Sequence, residues 1–118
     1  MKKRLSIILA TVCAMATADA ASAKNASDGY VLGFVTIPTG IVFFTQSGTI
    51  TGSTIACDNG GILNRWGFDS TTPAGQALLS ILLTAKNTHE VVKIQGSGTC
   101  STGSSSEYPG IIVTDDVQ

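Results

Sequence analysis

The most chemically varied run in the sequence is Arg65-Trp66-Gly67-Phe68-Asp69, which contains the only tryptophan. The flat apolar face of a sugar ring packs on aromatic rings, so one interpretation of Trp66 is a stacking platform for a sugar. The other interpretation places Trp66 and Phe68 in the core and leaves Arg65 and Asp69 to pair or to cap a helix. Aromatic side chains of small domains are usually core, which favours the second interpretation.

Side chains that could carry out catalysis are few and scattered. His89 is the only histidine and stands beside Glu90 in a short polar link, where a solvated turn residue is expected. The serines lie in Gly/Ser stretches without a nucleophile-elbow motif. Gly96-Ser97-Gly98 is followed by no helix that could bind phosphate. One histidine and dispersed carboxylates make no metal-binding pattern. We therefore expect a protein that is not an enzyme and that uses no cofactor or metal.

The cysteines predict a structural disulfide. Of the three, Cys13 lies near the N-terminus, whereas Cys57 and Cys100 form a pair in the rest of the chain. A metal or redox site is the competing interpretation, but it is disfavoured because the pair is far apart and no Cys-x-x-Cys motif is present. In the chain-entropy model a Cys57–Cys100 bond would stabilise the fold by about 4 kcal/mol.

The N-terminal segment has the three-part layout of a secretory signal peptide. A basic start, residues 1–4, precedes the uncharged and mostly apolar residues 5–18, and Ala21-Ser22-Ala23 supplies the small residues that a signal peptidase recognises. A permanent membrane helix needs about 20 apolar residues, and no stop-transfer pattern follows. The sequence predicts cleavage after Ala23, with cleavage after Ala20 as an alternative, and a secreted or periplasmic product without stable membrane insertion.

Loss of residues 1–23 would change the charge of the chain. Four basic and seven acidic residues would remain, for a net charge of −3. Nucleic acids and anionic membranes bind through clustered Lys and Arg, so neither is an expected partner. Residues 24–118 are enough for a single domain with one modest core.

Five strands and one helix are predicted in this domain. Residues 24–28 look like a loose lead-in, and the Ser/Gly stretch 101–106 looks like a mobile loop. The helix should begin at Pro73, with Thr72 as N-cap, and end near Asn87. Its apolar face is broad enough to be covered by the sheet or by another subunit. The predicted strands are residues 30–37, 41–45, 49–57, 91–95 and 109–114.

The order of these elements predicts a mainly β, α+β fold. Three strands, a helix and two strands is the order of the OB-fold, a partly open five-stranded barrel whose helix lies between strands 3 and 4. A generic α+β sandwich fits this pattern nearly as well.

Short motifs along residues 28–113 give the chain a resemblance to a known family. Asp28-Gly29-Tyr30-Val31-Leu32-Gly33-Phe34-Val35, a tryptophan before the helix, Val92-Lys93-Ile94 and Thr99-Cys100 follow the order found in the B subunits of subtilase cytotoxin and typhoid-type toxins. The chain also resembles small exported bacterial proteins of unknown function that share Arg-Trp-x-Phe-Asp, Thr-Pro-Ala-Gly and Gly-x-Gly-Thr-Cys. The toxin resemblance implies an OB-fold homo-pentamer that binds sialylated cell-surface glycans and carries a toxic A subunit.

One position departs from that family in a way that matters for ligand binding. Leu32 occupies the place of the serine that contacts sialic acid in the toxin subunits, and leucine has no hydroxyl to offer. The candidate ligand-contacting residues of the chain are Tyr30, Leu32, Arg65, Trp66 and Asp69. The sequence leaves three functions open: a glycan-binding or assembly module, a stand-alone exported structural domain without glycan binding, and a small hydrolase built around His89, which is the weakest.

Overall fold

The computed structural model describes residues 23–114, and these form seven strands and one helix. The fold is mainly β, and the only helix of this part of the chain stands between the fifth and sixth strands. In chain order the elements are β1 (Asn25–Gly29), β2 (Val31–Thr36), β3 (Ile41–Gln46), β4 (Ile50–Thr51), β5 (Arg65–Asp69), α1 (Pro73–Thr88), β6 (Val92–Gly96) and β7 (Pro109–Thr114).

The strands form two antiparallel sheets. The first sheet has the order β2-β3-β5 and the second the order β4-β1-β6-β7. The predicted hairpin of the first two strands is present as β2 and β3, in which Phe34 pairs with Phe44 and Thr36 with Val42. One backbone hydrogen bond, from Gly67 N to Glu107 O at 3.1 Å, links the two sheets next to β7. Within residues 23–114 the strands therefore do not close into one continuous barrel sheet.

The stretch that begins the domain contradicts the prediction of a loose lead-in. Asn25–Gly29 is a strand whose Ala26 is buried and pairs with Ile94 of β6. Only Tyr30 separates β1 from β2, so the chain passes from one sheet to the other at this residue. Polar composition hid the strand because its stability comes from its partners β4 and β6 rather than from its own side chains.

The predicted third strand, residues 49–57, is mostly wrong. Only Ile50–Thr51 is a strand, and Cys57 lies in the loop that follows. The strand that pairs with β3 is instead the aromatic run of β5, with Trp66 opposite Phe44 and Phe68 opposite Val42. β5 buries three consecutive residues, so its sequence lacks the simple alternation by which strands are recognised.

The helix agrees closely with the prediction. The Thr72 hydroxyl accepts a hydrogen bond from Gly75 N at 3.0 Å, and Pro73 opens the first turn, where no N–H is needed. The helix ends at Thr88, and His89 follows in the left-handed conformation with its N–H directed at Lys86 O. Leu82 and Ala85 face the core, whereas Ile81 and Leu83 are each 43% exposed.

The core lies between the two sheets and α1. Trp66 and Phe68 have no exposed surface, and Phe44 packs edge-on against Phe68. The prediction that the two aromatic residues of β5 are core is confirmed. The buried side chains that share this core are Ala26, Val31, Val42, Phe44, Trp66, Phe68, Leu82, Ala85, Val92 and Ile94.

The predicted disulfide is present. Cys57 and Cys100 are bonded, with their Cα atoms 6.2 Å apart. The bond joins the loop after β4 to the loop after β6, across a sequence separation of 43 that includes β5, α1 and β6. In the part of the chain that the structure describes, no helix has the length and apolarity needed to cross a membrane.

Candidate functional site

The outer face of the β2-β3-β5 sheet carries a groove of about 260 Å³. Side chains on one face of a sheet come from alternate residues of each strand and from their cross-strand partners. Val35 pairs with Phe43, and Thr45 pairs with both Gly33 and Arg65, which brings these residues to the same face. We call this site the outer groove; its lining is Gly33, Phe34, Val35, Phe43, Phe44, Thr45, Ile62 and Arg65.

Two glycines shape the outer groove in different ways. Gly67 lies directly opposite Phe43, and a Cβ there would stand 3.1 Å from two atoms of the phenyl ring. Gly33 has no atom within 4 Å of the position that a Cβ would take. The groove is therefore open above Gly33, while the Phe43 ring packs closely over the backbone of Gly67.

Arg65 supplies the fixed positive charge of the outer groove. Its Nε donates to Ser106 Oγ at 2.7 Å and its Nη2 donates to Ser105 Oγ at 2.9 Å. The guanidinium carbon lies 4.7 Å from the centre of the Phe43 ring, a cation–π distance. Neither of the two serine bonds uses Nη1.

The serine loop that orients Arg65 is better anchored than its composition predicts. Ser106 is buried, and the Ser105 carbonyl accepts hydrogen bonds from Asn59 N and Gly60 N. The disulfide at Cys100 lies in the same loop. A Ser/Gly composition indicates a loop, but it does not show which hydroxyls will find partners.

The rim of the outer groove is apolar and exposed. Val35 is 61% exposed and Ile62 is 45% exposed, and neighbouring Leu63 is also exposed. Exposed aliphatic side chains beside an aromatic ring can cover an apolar ligand face, while a fixed guanidinium donates a hydrogen bond to a polar group of the ligand. The polar side-chain groups of the lining are the hydroxyl of Thr45 and the guanidinium of Arg65.

The predicted ligand residues of β5 separate into two roles. Arg65 lines the outer groove, but Trp66 points into the core and offers no face for sugar stacking. Asp69 stands four residues from Arg65 along β5 and does not pair with it. Its Oδ1 accepts from Thr71 N at 2.9 Å and from Thr71 Oγ1 at 2.6 Å, and these bonds lower the pKa of Asp69.

Tyr30 and Leu32 lie in a second cluster at the C-terminal end of α1, which we call the Tyr30–His89 patch. The Tyr30 ring stacks on His89 with a centre-to-centre distance of 4.2 Å, and both residues are exposed. Lys86 Nζ donates to Leu32 O at 3.2 Å, and the Leu32 side chain is 53% exposed. His89 has the left-handed conformation of the helix cap and stacks on Tyr30, a contact that its place in a polar link did not predict.

The main residues that the sequence analysis missed are Phe43, Val35 and Ile62. A signal for Phe43 was present, because two consecutive aromatics on a strand must face opposite sides of the sheet. Phe44 is in the core, so Phe43 has to lie on the outer face. Ile62 is in a loop, and no periodicity could have placed it there.

Among residues 23–114, no three His, Cys, Asp or Glu side chains come together as a possible metal site.

Comparison with known proteins gives no match to any family model, to any curated protein or to any solved structure.

Proposed function

We propose that the domain is an exported, non-enzymatic binding or assembly module that resembles a toxin B subunit and takes its ligand in the outer groove. The observation that carries this proposal is the guanidinium of Arg65, held by two serines over Phe43 within an apolar, solvent-open groove. A side chain oriented in this way has lost its freedom before any ligand arrives, which lowers the entropy cost of binding.

The ligand that fits this chemistry best is a cell-surface glycan. An apolar sugar face can pack on Phe43 and Val35, while a ring hydroxyl or a carboxylate accepts a hydrogen bond from Arg65. A charge-assisted hydrogen bond contributes about 1.5–3 kcal/mol, roughly a tenfold to hundredfold change in affinity. The exposed Leu32 argues against a sialic acid contact at that position, so the site would differ from the one that the toxin resemblance implies.

The strand pairing supports an OB-fold path for the domain. If β1 and β2 count as one bent strand, it pairs with β3 on one side and with β6 on the other. The remaining pairs, β3 with β5 and β6 with β7, leave β5 and β7 as the two ends of a partly open barrel. On this count the helix falls between the third and fourth long strands, and β4 is a short addition.

Exposed apolar side chains on α1 and β7 support assembly into a homo-oligomer, for which the resemblance suggests a pentamer with an A subunit. Ile81 and Leu83 on the helix and Ile111 and Val113 on β7 are all more than 40% exposed. Light scattering of the purified processed protein tests whether it assembles into a homo-oligomer. A mass of several subunits would support it, and a monomer of about 10 kDa at all concentrations would contradict it.

The second candidate is a stand-alone exported domain that binds no glycan. It is favoured by Leu32, which presents an aliphatic side chain where the toxin subunits have a hydroxyl. Secretion or a periplasmic location suits both candidates, because the Cys57–Cys100 bond needs an oxidising compartment.

A glycan array with the processed protein separates the two candidates. We expect wild type to bind a defined set of glycans and Arg65→Gln to lose roughly tenfold or more in affinity. Lys93→Gln is the matched control, because Lys93 is an exposed cation on the other sheet, 3.6 Å from Asp28. Binding that is equal in wild type and Arg65→Gln would overturn the site, and no binding by wild type would favour the stand-alone domain.

A further inference from the structure

A cluster of charged side chains is buried beneath β5, on the far side from the outer groove. Lys24 and Glu107 have no exposed surface, and the Asp58 side chain is 4% exposed. Lys24 Nζ lies 2.6 Å from Asp58 Oδ2 and 4.7 Å from the centre of the Trp66 ring. It also donates hydrogen bonds to the carbonyls of Leu63 and Arg65 at 3.0 and 2.8 Å.

Glu107 is the carboxylate of the cluster that lacks a direct ionic contact. Its Oε1 accepts from the main-chain N of Lys24 at 3.3 Å, and its Oε2 accepts from Gly98 N at 3.5 Å. Both distances are at or beyond the long end of the hydrogen-bond range. Burial raises the pKa of Glu107, because a desolvated carboxylate is costly without a close cation.

The main-chain nitrogen of Lys24 is also the atom that cleavage after Ala23 would release. Hydrolysis of the Ala23–Lys24 bond adds hydroxide from water to the Ala23 carbonyl carbon and a proton to the Lys24 nitrogen. The new amine takes a further proton at neutral pH, because α-amino groups have pKa values of about 7.7–8.0. An uncharged amide with one N–H thus becomes a cation with three.

We propose that the N-terminus of the processed protein is Lys24 and that its α-ammonium group is the counter-ion of Glu107. This inference concerns a processing site and does not depend on the function proposed for the outer groove. Before cleavage the cluster holds one cation for two carboxylates; after cleavage it holds two for two. Cleavage after Ala20 would leave Lys24 N an amide, so the structure distinguishes the two cleavage sites of the signal peptide.

The surrounding backbone is arranged to hold this end of the chain. Gly96 N donates to Lys24 O at 3.0 Å. A Cβ on Gly96 would overlap Glu107 Oε2, so the carboxylate can approach the strand only because residue 96 is glycine. Lys24 is therefore fixed through its carbonyl, its side chain and its nitrogen.

The first experiment measures where the natural chain is cut. The full-length protein is expressed with its own leader in an exporting bacterial host, and the intact mass and N-terminal sequence of the oxidised product are determined. A product that begins at Lys24 is required by the proposal. A product that begins at Ala21, or at any other residue, overturns it.

The second experiment tests the ion pair itself. A Gly-Ser insertion between Ala23 and Lys24 moves the α-ammonium away from Glu107, and the same insertion is made together with Glu107→Gln. With Glu107 present we expect the insertion to raise the unfolding equilibrium constant at pH 7 by roughly tenfold or more; in the Glu107→Gln background the change should be less than about threefold. Equal effects in the two backgrounds would overturn the proposal. Intact mass verifies each N-terminus.

Discussion

Two positive side chains on either side of β5 have opposite surroundings. Lys24 is enclosed, with its ammonium surrounded by Asp58, two carbonyls and the Trp66 ring. Arg65 is half-buried in the outer groove, and its guanidinium is oriented by two serine hydroxyls rather than neutralised by a carboxylate. The two are linked through the backbone, because the carbonyl of Arg65 accepts from Lys24.

The contrast indicates which charge serves stability and which can serve binding. Lys24 is fully buried against a carboxylate and two carbonyls, so it cannot meet a ligand without breaking the fold. A guanidinium that is only half-buried and has no carboxylate partner can still bind an anionic or hydrogen-bond-accepting group of a ligand. Substitutions of the two should therefore affect different properties.

Substitution of the enclosed cation should have the largest effect. Lys24→Met keeps most of the side-chain volume but leaves Asp58 buried without its partner, so the free energy of unfolding should fall by about 3–5 kcal/mol. Urea denaturation of the oxidised protein measures this decrease. Lys93→Met is the control, since Lys93 is 55% exposed and its ion pair is weak. A loss below about 1 kcal/mol for Lys24→Met would mean that the cluster is not structural.

Removal of the disulfide should rank next and should disturb both regions. Cys57 precedes Asp58, and Cys100 lies in the loop that carries Ser105 and Ser106. The double change Cys57→Ser with Cys100→Ser should lower the free energy of unfolding by up to about 4 kcal/mol, measured by thermal or urea unfolding. Wild type under reducing conditions is the matched comparison. A double variant as stable as the oxidised protein would contradict this account.

Arg65→Gln should affect stability less than Lys24→Met does. Two hydrogen bonds to serine hydroxyls at a part-exposed site are lost, which predicts a decrease of about 1–2 kcal/mol in the free energy of unfolding. Urea denaturation of Arg65→Gln and Lys24→Met under the same conditions compares their free energies of unfolding. If Arg65→Gln destabilised the fold as strongly as Lys24→Met, Arg65 would be a structural residue and the outer groove would lose its main argument.

The smallest effect is expected at Asp69. Hydrogen bonds from Thr71 lower its pKa below the ordinary value of 3.8, so the native state binds the proton less tightly than the unfolded chain does. The stabilisation is present above the unfolded pKa and is lost as pH falls through the folded pKa. Asp69→Asn should therefore differ from wild type at about pH 6 and converge with it in strong acid. Parallel pH–stability curves would contradict this assignment.

Local signals in the sequence were enough for the helix and the disulfide but not for the start of the domain. Thr72, Pro73 and the apolar periodicity of α1 act within a few residues, and these predictions hold. β1 was missed because its stability depends on β6, which comes much later in the chain, and the buried cluster of Lys24 was missed for the same reason.

The sequence indicates only some of the residues that form the outer groove. The sequence indicates Arg65 and its neighbour Trp66 as candidates alike, but the register of β5 against β3 buries Trp66. The partners of Arg65 are Ser105 and Ser106, in a stretch that composition predicts to be mobile. Only the tertiary arrangement brings those hydroxyls to the guanidinium, and the disulfide contributes to that arrangement.

The most direct test is to map the binding site by NMR on the ¹⁵N-labelled processed protein. The protein is titrated with a glycan found on the array, and its amide shifts are compared with those of Arg65→Gln. If the ligand binds in the outer groove, the largest amide shifts should occur at Val35, Phe43, Thr45 and Arg65. Arg65→Gln should lose most of these ligand-induced shifts. Shifts centred on the Tyr30–His89 patch, or unchanged in Arg65→Gln, would contradict it.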